Sequence, residues 1–332
     1  MEILVLDSSF NQMQAAHYAV DNSASTLTGQ NYQVLFANSF EKGSQGEKAL
    51  DLIQAIATNP QAAKLYAEYN YLMFNRGPGS FVGTRISTSL TQGIATVEPQ
   101  IKIIAASSLQ MVAAQIQQLA LLLARSQVLP ACLSQGDKIL VALDANMGES
   151  YIACYSWQAP NTTTTEEQAG MSLVLQGSEQ LIKAAELETL YQACTANTPT
   201  RQTLITEQNY QEKFGISANE QVILVGNAWS KYLPQATTLC QQLSDESIAR
   251  NAYPVITAFY EQQLLRPVVN ENMIRTGEVA DTLDDLFALW EELTSLPDCR
   301  WQATLLAAKI AQQDFTPRLE IEPTYIRDKV TY

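Results

Sequence analysis

The chain has 332 residues, a length that suggests two domains, because domains average about 150 residues. Hydrophobic residues make up 46% of it and charged residues 16%, so it can bury a core, whereas its net charge of −14 disfavours direct contact with a phosphate backbone. The single histidine, His17, excludes HExxH and paired-histidine metal sites, and the five cysteines, which form no CxxC pair, indicate scattered thiols in a reducing compartment.

The first half of the sequence has the pattern of an α/β domain. An apolar run over residues 3–6 ends in Asp7 and predicts a strand covered on both faces. Apolar residues at helical spacing predict a helix with one buried face over residues 46–57. The other elements predicted here are strands over 15–20, 32–37, 71–74 and 102–106, and helices over 81–96 and from Ser107 or Ser108 to about 125.

The second half begins with a segment that repeats the first. Lys138–Asp144 is an apolar run that ends in an aspartate, as residues 2–7 are, and each is followed by a predicted antiparallel strand. We therefore predict two related α/β domains whose aspartates, Asp7 and Asp144, line a cleft at the strand ends. The later elements predicted are a strand over 150–157, a polar loop over 161–168, a strand over 222–225 that ends in Gly226, an acidic amphipathic helix within 271–300, a last helix over 301–312 and an extended tail over 321–327.

Two further classes of protein are disfavoured by the same sequence. The longest apolar run, over residues 119–124, is too short to cross a bilayer, and no secretory signal pattern opens the chain, so we expect a soluble, cytoplasmic protein without a membrane partner. Nucleophilic catalysis by a Ser-His-Asp or Cys-His arrangement would have to use His17, which lies in a predicted strand and is expected to be structural.

The strongest local signal for chemistry is the glycine-rich segment 75–85, Asn-Arg-Gly-Pro-Gly-Ser-Phe-Val-Gly-Thr-Arg. It fits two interpretations, a cradle for a phosphate or nucleotide at a helix start and a tight turn that needs glycine. The segment has neither the ending of a P-loop nor a GxGxxG pattern, so the sequence leaves both open. Paired aspartates at the strand ends can bind Mg²⁺ with a nucleotide, but neither is followed directly by glycine, so ATP hydrolysis is not expected. The residues of this candidate cleft are Asp7, Gly77, Gly79, Ser80, Asp144 and Gly226.

The helix predicted over 81–96 has two distinct faces. One is an apolar row at four-residue spacing, and the other consists of small residues, which allow a second helix to approach closely. We expect this small-residue face to pack against the 46–57 helix or against another protein. The apolar row is Val82, Ile86, Leu90 and Ile94, and the small residues are Gly83, Ser87, Thr91 and Gly93.

Taken together, these segments resemble the TsaB (YeaZ) family of tRNA threonylcarbamoyladenosine biosynthesis. They occur in the family's order and span residues 3–327, and the GPGSFxGxRI and LDAxMGExY pieces are the specific ones. The segments are Ile3-Leu-Val-Leu-Asp-Ser-Ser9, Arg76-Gly-Pro-Gly-Ser-Phe-Val-Gly-Thr-Arg-Ile86, Gln92-Gly-Ile-Ala95, Ala142-Leu-Asp-Ala-Asn-Met-Gly-Glu149 with Tyr151, Val225-Gly226 with Trp229, and Glu322-Pro-Thr-Tyr-Ile-Arg327.

The resemblance implies an α/β fold of two ribonuclease-H-like domains, as in actin, Hsp70 and hexokinase. We expect the domains at 1–106 and 107–332, with the final helix and tail packing back on the first. It also implies a non-catalytic scaffold that pairs with TsaD, the subunit that transfers threonylcarbamoyl to the adenosine beside the anticodon of ANN-decoding tRNAs. The pair would recruit the ATPase TsaE, and tRNA would be reached only through the complex.

The resemblance further implies no catalytic residue, metal or cofactor of the chain's own, with ATP or ADP only at the level of the complex. Pairing is expected through the helices 46–57 and 81–96, and the same face would form a homodimer when TsaD is missing. The interface residues implied are Ala49, Ile53, Val82, Gly83, Ile86, Ser87, Leu90 and Thr91. An active nucleotide-binding ATPase or phosphotransferase of the same fold remains the alternative.

The sequence departs from the family pattern in two ways. It carries added material, which we place within 117–135, 160–170, 176–221 and 235–300. It also has Gln45-Gly46-Glu47 where relatives often have His-Ser-Glu, which further weakens a metal or catalytic role.

Overall fold

The computed structural model describes residues 1–10, 12–20, 32–41, 49, 69–125, 137–158, 172–243, 290–291 and 293–326. Most of the predicted 46–57 helix, the 161–168 loop and most of the acidic 271–300 segment lie outside these residues. The described parts form two mixed β-sheets with helices on their faces.

The first sheet has five strands in the order β3-β2-β1-β4-β5. Its first three strands form an antiparallel meander, and β4 and β5 run parallel to β1. Their bounds are β1 Glu2–Asp7, β2 Gln12–Val20, β3 Tyr32–Glu41, β4 Tyr71–Asn75 and β5 Lys102–Ala106.

The second sheet repeats this connectivity with four strands in the order β8-β7-β6-β9. Strand β6 pairs antiparallel with β7 and parallel with β9, as β1 pairs with β2 and β4. The bounds are β6 Lys138–Asp144, β7 Glu149–Gln158, β8 Ser172–Lys183 and β9 Val222–Val225. The predicted duplication is confirmed: the first sheet has the five-strand order of a ribonuclease-H-like domain, and the second sheet, as described, has the first four strands of that order.

Alternation along the first strand explains why its sequence is apolar throughout. Ile3 and Val5 face one side of the sheet, Leu4 and Leu6 face the other, and all four are buried because helices cover both faces. The described helices are α1 Phe81–Val97, α2 Ser108–Arg125, α3 Ala184–Thr195, α4 Thr198–Glu207, α5 Tyr210–Phe214, α6 Asn227–Tyr232, α7 Leu239–Leu243 and α8 Ala303–Ala311.

Helix α2 lies between the two sheets. Met111 and Ala114 pack against the first sheet, whereas Val112 and Ile116 pack against the second. This helix therefore belongs to both cores, and the predicted domain boundary after residue 106 falls just before it. None of the helices in the described ranges is long and apolar enough to span a membrane.

The chain returns to the first sheet near its end. Leu306 of α8 is fully buried in the core formed with Ile3 and Val5. The helix begins at Ala303, two residues later than predicted, because a 3-10 turn, Cys299–Trp301, precedes it. Residues 321–326 contain no helix or strand.

Candidate functional site

The aspartate at the end of β1 faces the interior. The Asp7 carboxylate accepts hydrogen bonds from the Ser9 N–H at 2.8 Å and the Ser9 hydroxyl at 2.6 Å, and the residue is 2% exposed. Burial raises the pKa of Asp7 to about 6, although the hydrogen bonds from Ser9 act in the opposite direction. Asp7 thus closes its own turn, where an open cleft was expected.

A buried polar network extends from this turn to the ends of two other elements. Asn75, the last residue of β4, donates from Nδ2 to the Ser9 hydroxyl at 2.8 Å. The Asn75 Oδ1 accepts from the Ser108 hydroxyl at 3.0 Å and from the Gly77 N–H at 2.8 Å. The network fixes the turn after β1, the glycine-rich segment and the start of α2 to one another.

Packing accounts for the glycines of the 75–85 segment. Gly77 has φ +97°, which favours glycine, and a Cβ on Gly79 would overlap the carbonyl oxygen of Ser9. The Ser80 N–H donates to that oxygen at 2.5 Å, and the Ser80 hydroxyl caps α1 by accepting from the Gly83 N–H at 3.3 Å. The N–H groups of Gly77, Ser80 and Gly83 are therefore bonded within the chain, as the turn interpretation requires, and they do not form a phosphate cradle.

The second strand-end aspartate, Asp144, has the same local geometry but is more exposed to solvent. Asp144 Oδ1 accepts from the Asn146 N–H at 2.9 Å, two residues on, as Asp7 does from Ser9. Its carboxylate also accepts from Lys231 Nζ at 2.6 Å and from the Tyr232 hydroxyl at 2.7 Å. Partial burial raises the pKa of Asp144, but these hydrogen bonds outweigh it and leave the pKa below its usual value.

Gly226 resembles Gly79 in its role. It has φ +106°, a Cβ there would overlap the carbonyl oxygen of Ala142, and its N–H donates to Thr294 O at 2.7 Å. The candidate cleft residues thus lie in two separate turns. The polar groups described in each turn are hydrogen-bonded to other residues of the protein.

The small-residue face of α1 points inward. Ser87 and Thr91 are fully buried, and the Ser87 hydroxyl donates to Asn75 O at 2.9 Å. A Cβ on Gly83 would overlap the carbonyl oxygen of Ser8. Placing Gly83, Ser87 and Thr91 on an intermolecular face was therefore wrong, because all three are buried within the chain, with Gly83 against the turn after β1 and Ser87 bonded to the end of β4. Gly93, the fourth small residue predicted on this face, is exposed.

Two further predicted interface residues belong to the other helix. Ala49 is buried in the core beside Ile94 and Ala95, so its predicted place on an outer face is also wrong. Ile53 lies outside the described residues.

A second side of α1 carries apolar side chains that are exposed or half-buried, beside exposed polar residues. Val82 and Val97 are 61% and 70% exposed, and Ile86 and Leu90 are half-buried. We call this surface the outer stripe, defined as Val82, Ile86, Leu90, Gly93 and Val97, whose spacing of four, four, three and four residues follows one helix face. Ile94, predicted in the same row, is buried.

A tail, residues 317–326, lies along α1. The Arg318 guanidinium donates to the carbonyl oxygens of Ala95, of Glu98 at 3.0 Å and of Ile101 at 3.4 Å, and so caps the end of the helix. Gln92 Nε2 donates to Ile321 O at 2.7 Å. Sequence analysis placed the tail on the first domain but did not indicate its contact with α1, because nothing in the local pattern of either segment indicates the other.

The histidine and the acidic residues give no sign of a metal centre in the described parts of the chain. Within those parts, no three His, Cys, Asp or Glu side chains lie close enough to share a metal ion. His17 is buried on β2, with its Nε2 2.6 Å from Glu2 Oε2 and its ring edge-on to Tyr69. Cys154, Cys194 and Cys299 are buried free thiols.

Comparison with known proteins gives structural matches only. No protein-family model matches the sequence, and a search of curated proteins finds no match. A solved structure described as an uncharacterised protein with similarity to peptidase YeaZ from Pseudomonas aeruginosa aligns with a TM-score of 0.50, 16% identity, 98% of this chain and 99% of that one. YeaZ from P. aeruginosa aligns over the same shares at 16% identity with a TM-score of 0.49.

A Ppx/GppA family member from Aquifex aeolicus covers 95% of this chain and 99% of its own, at 7% identity and a TM-score of 0.36, which is too low to weigh. The YeaZ-like structure covers nearly the whole of both chains, and its likeness concerns the fold. The chain therefore shares the fold of this YeaZ-like structure, in agreement with the fold that its resemblance to the TsaB (YeaZ) family implies.

Proposed function

We propose that the chain is a non-catalytic scaffold subunit for threonylcarbamoyl transfer to the adenosine beside the anticodon of ANN-decoding tRNAs. It pairs with a TsaD homologue, and the pair recruits the ATPase TsaE. The tRNA is held by the complex, since a chain of net charge −14 is poorly suited to hold it alone. The compartment is the cytoplasm.

The observation that carries this proposal is the outer stripe. Val82 and Val97 leave large apolar side chains in water on one helix, although the chain buries apolar residues on both faces of both sheets. An exposed apolar stripe at helical spacing suits a helix of another protein, because burying it removes apolar surface from water. The same stripe supports a homodimer when the partner is missing.

The alternative, an ATPase or phosphotransferase, finds less support. The N–H groups at Gly77 and Ser80 are bonded to Asn75 and Ser9, and Asp7 is buried. Titration calorimetry of the isolated chain with ATP and Mg²⁺ tests this, and a sub-micromolar site would favour the alternative.

The test of the proposal is reconstitution with the TsaD and TsaE homologues of the same organism. We expect the chain to co-elute with the TsaD homologue and to be required for tRNA modification when threonylcarbamoyl adenylate is supplied. We expect no product from the chain alone. Full modification by the other two subunits without it, or product formed by it alone, would each contradict the proposal.

A further inference from the structure

Two sequence motifs that lie 240 residues apart meet at the first turn of α1. Arg85 Nε donates a hydrogen bond to the hydroxyl of Tyr325 in the tail at 2.9 Å. The central carbon of the Arg85 guanidinium lies 3.5 Å from the centre of the Phe81 ring, and the rings of Phe81 and Tyr325 are 6.1 Å apart. Arg85 is thus stacked on one aromatic ring and hydrogen-bonded to the other.

This arrangement holds the guanidinium in place and leaves its donors open. Only Nε is used, and Nη1 and Nη2 make no hydrogen bond or ion pair with another residue in the described part of the chain. Those two nitrogens form the planar fork that matches a carboxylate. Because the aromatic contacts already restrict the side chain, less conformational entropy is lost when an anion binds.

Exposed apolar side chains are concentrated on α1 and the tail, the surface to which Arg85 belongs. Of the eight large apolar side chains exposed in the described residues, five lie on α1 or on the tail packed against it. Such a concentration marks a surface that contacts another protein. Phe81, Val82 and Tyr325 lie with Arg85 at the start of α1, and Val97 and Leu319 lie towards its end.

The positive charge of Arg85 distinguishes among three candidate partners for this surface: a second copy of the chain, RNA and a different protein. Arg85 is the only charged residue of α1, so a homodimer in which α1 packs on α1 brings no carboxylate to it. The chain's net charge of −14 and the apolar neighbours of Arg85 also disfavour RNA. A helix of a different protein that carries an Asp or Glu within an apolar face meets both requirements.

We propose that Arg85, held between Phe81 and Tyr325, is a preorganised clamp that binds a carboxylate side chain on an apolar helix of the partner protein. The inference rests on the proposed function. It adds that a carboxylate on the contacting helix distinguishes the partner protein from a second copy of this chain. It also gives the tail a role, since Tyr325 positions the clamp.

The test is the affinity for the TsaD homologue, measured by titration calorimetry with folded variants checked by circular dichroism. We expect Arg85→Met to weaken pairing by at least about 10-fold, because it removes a charge-assisted bidentate contact. Arg85→Lys keeps the charge but loses the fork and should recover only part of the affinity. Tyr325→Phe should weaken pairing by a few-fold, and the control Lys213→Met, at an exposed site on α5, should leave it unchanged.

The outcomes distinguish a failure of the Arg85 clamp from a failure of the proposed function. Tight pairing that is unaffected by Arg85→Met overturns the clamp and leaves the proposed function standing. Absence of pairing by the unsubstituted chain overturns both. Equal weakening of the homodimer by Arg85→Met overturns the choice of a different protein, and tRNA binding by the isolated chain that this variant abolishes overturns the choice of a carboxylate.

Discussion

The two faces of α1 differ in their surroundings: one is buried within the chain and the other is exposed to water. On the inner face Gly83, Ser87 and Thr91 are buried, and Gly83 and Ser87 lie against the chain's own strand ends. On the outer stripe Val82 and Val97 remain in water. The difference teaches that the small residues of this helix serve the fold, whereas the surface open to a partner is the apolar one.

The largest effect is expected where the inner face is tightest. Gly83→Ala should lower the free energy of unfolding by about 3 kcal/mol, because its Cβ would overlap the Ser8 carbonyl and the backbone must shift. Its matched control is Gly93→Ala, where no atom lies within 4 Å of the new Cβ, and which should stabilise the chain by about 1 kcal/mol. Urea denaturation measures both, and similar values for the two would remove the distinction between the faces.

The next effect compares the two strand-end aspartates through pH. The pKa of Asp7 is raised to about 6 in the fold, so its contribution to stability is full below pH 3.8 and is lost as pH rises through 6. Between pH 4 and pH 7 the wild type should therefore lose about 2 kcal/mol of unfolding free energy relative to Asp7→Asn.

Asp144 should behave in the opposite way. Its pKa is lowered, so its contribution is present at neutral pH and is lost as pH falls below 3.8. Asp144→Asn should accordingly cost stability at pH 7 and progressively less as the pH falls below 3.8. Unfolding titrations at several pH values measure both variants, and pH profiles of the same sign would refute the contrast.

A smaller effect is expected where the tail caps α1. Arg318→Met removes the donors to Ala95 O, Glu98 O and Ile101 O and should cost about 1 kcal/mol of stability. Hydrogen exchange should become faster at the end of α1 and in residues 317–326, with little change in β6. Unaltered exchange in the tail would show that Arg318 does not anchor it.

Much of the fold was predictable because its signals are local. The runs at 102–106 and 138–144 are apolar on both sides of a strand, and their predicted ends match β5 and β6. Helix 81–96 was placed to within one residue, since glycine and proline mark the segment before it and Pro99 follows it. The repeat of strand, aspartate and antiparallel strand was enough to predict the duplication.

The site was less predictable because its contacts are not local. Small residues at 83, 87 and 91 suit a second helix and a strand end equally, and only the position of the Ser8 carbonyl decides between them. The Arg85–Tyr325 contact joins residues 240 positions apart, and no periodicity connects them. The sequence left Gly79 open between a phosphate cradle and a tight turn, because its neighbour Ser9, which decides between them, lies seventy residues earlier in the chain.

The most direct test of the central claim is the affinity of the TsaD homologue for a chain with a charge in the outer stripe. Val82→Asp places a carboxylate at a site that is 61% exposed in the free chain, so the variant should fold and should pair at least about 30-fold more weakly than the wild type. The control Val174→Asp makes the same change at an exposed position of β8 and should pair normally. If Val82→Asp pairs as tightly as Val174→Asp, the outer stripe of α1 is not the partner surface.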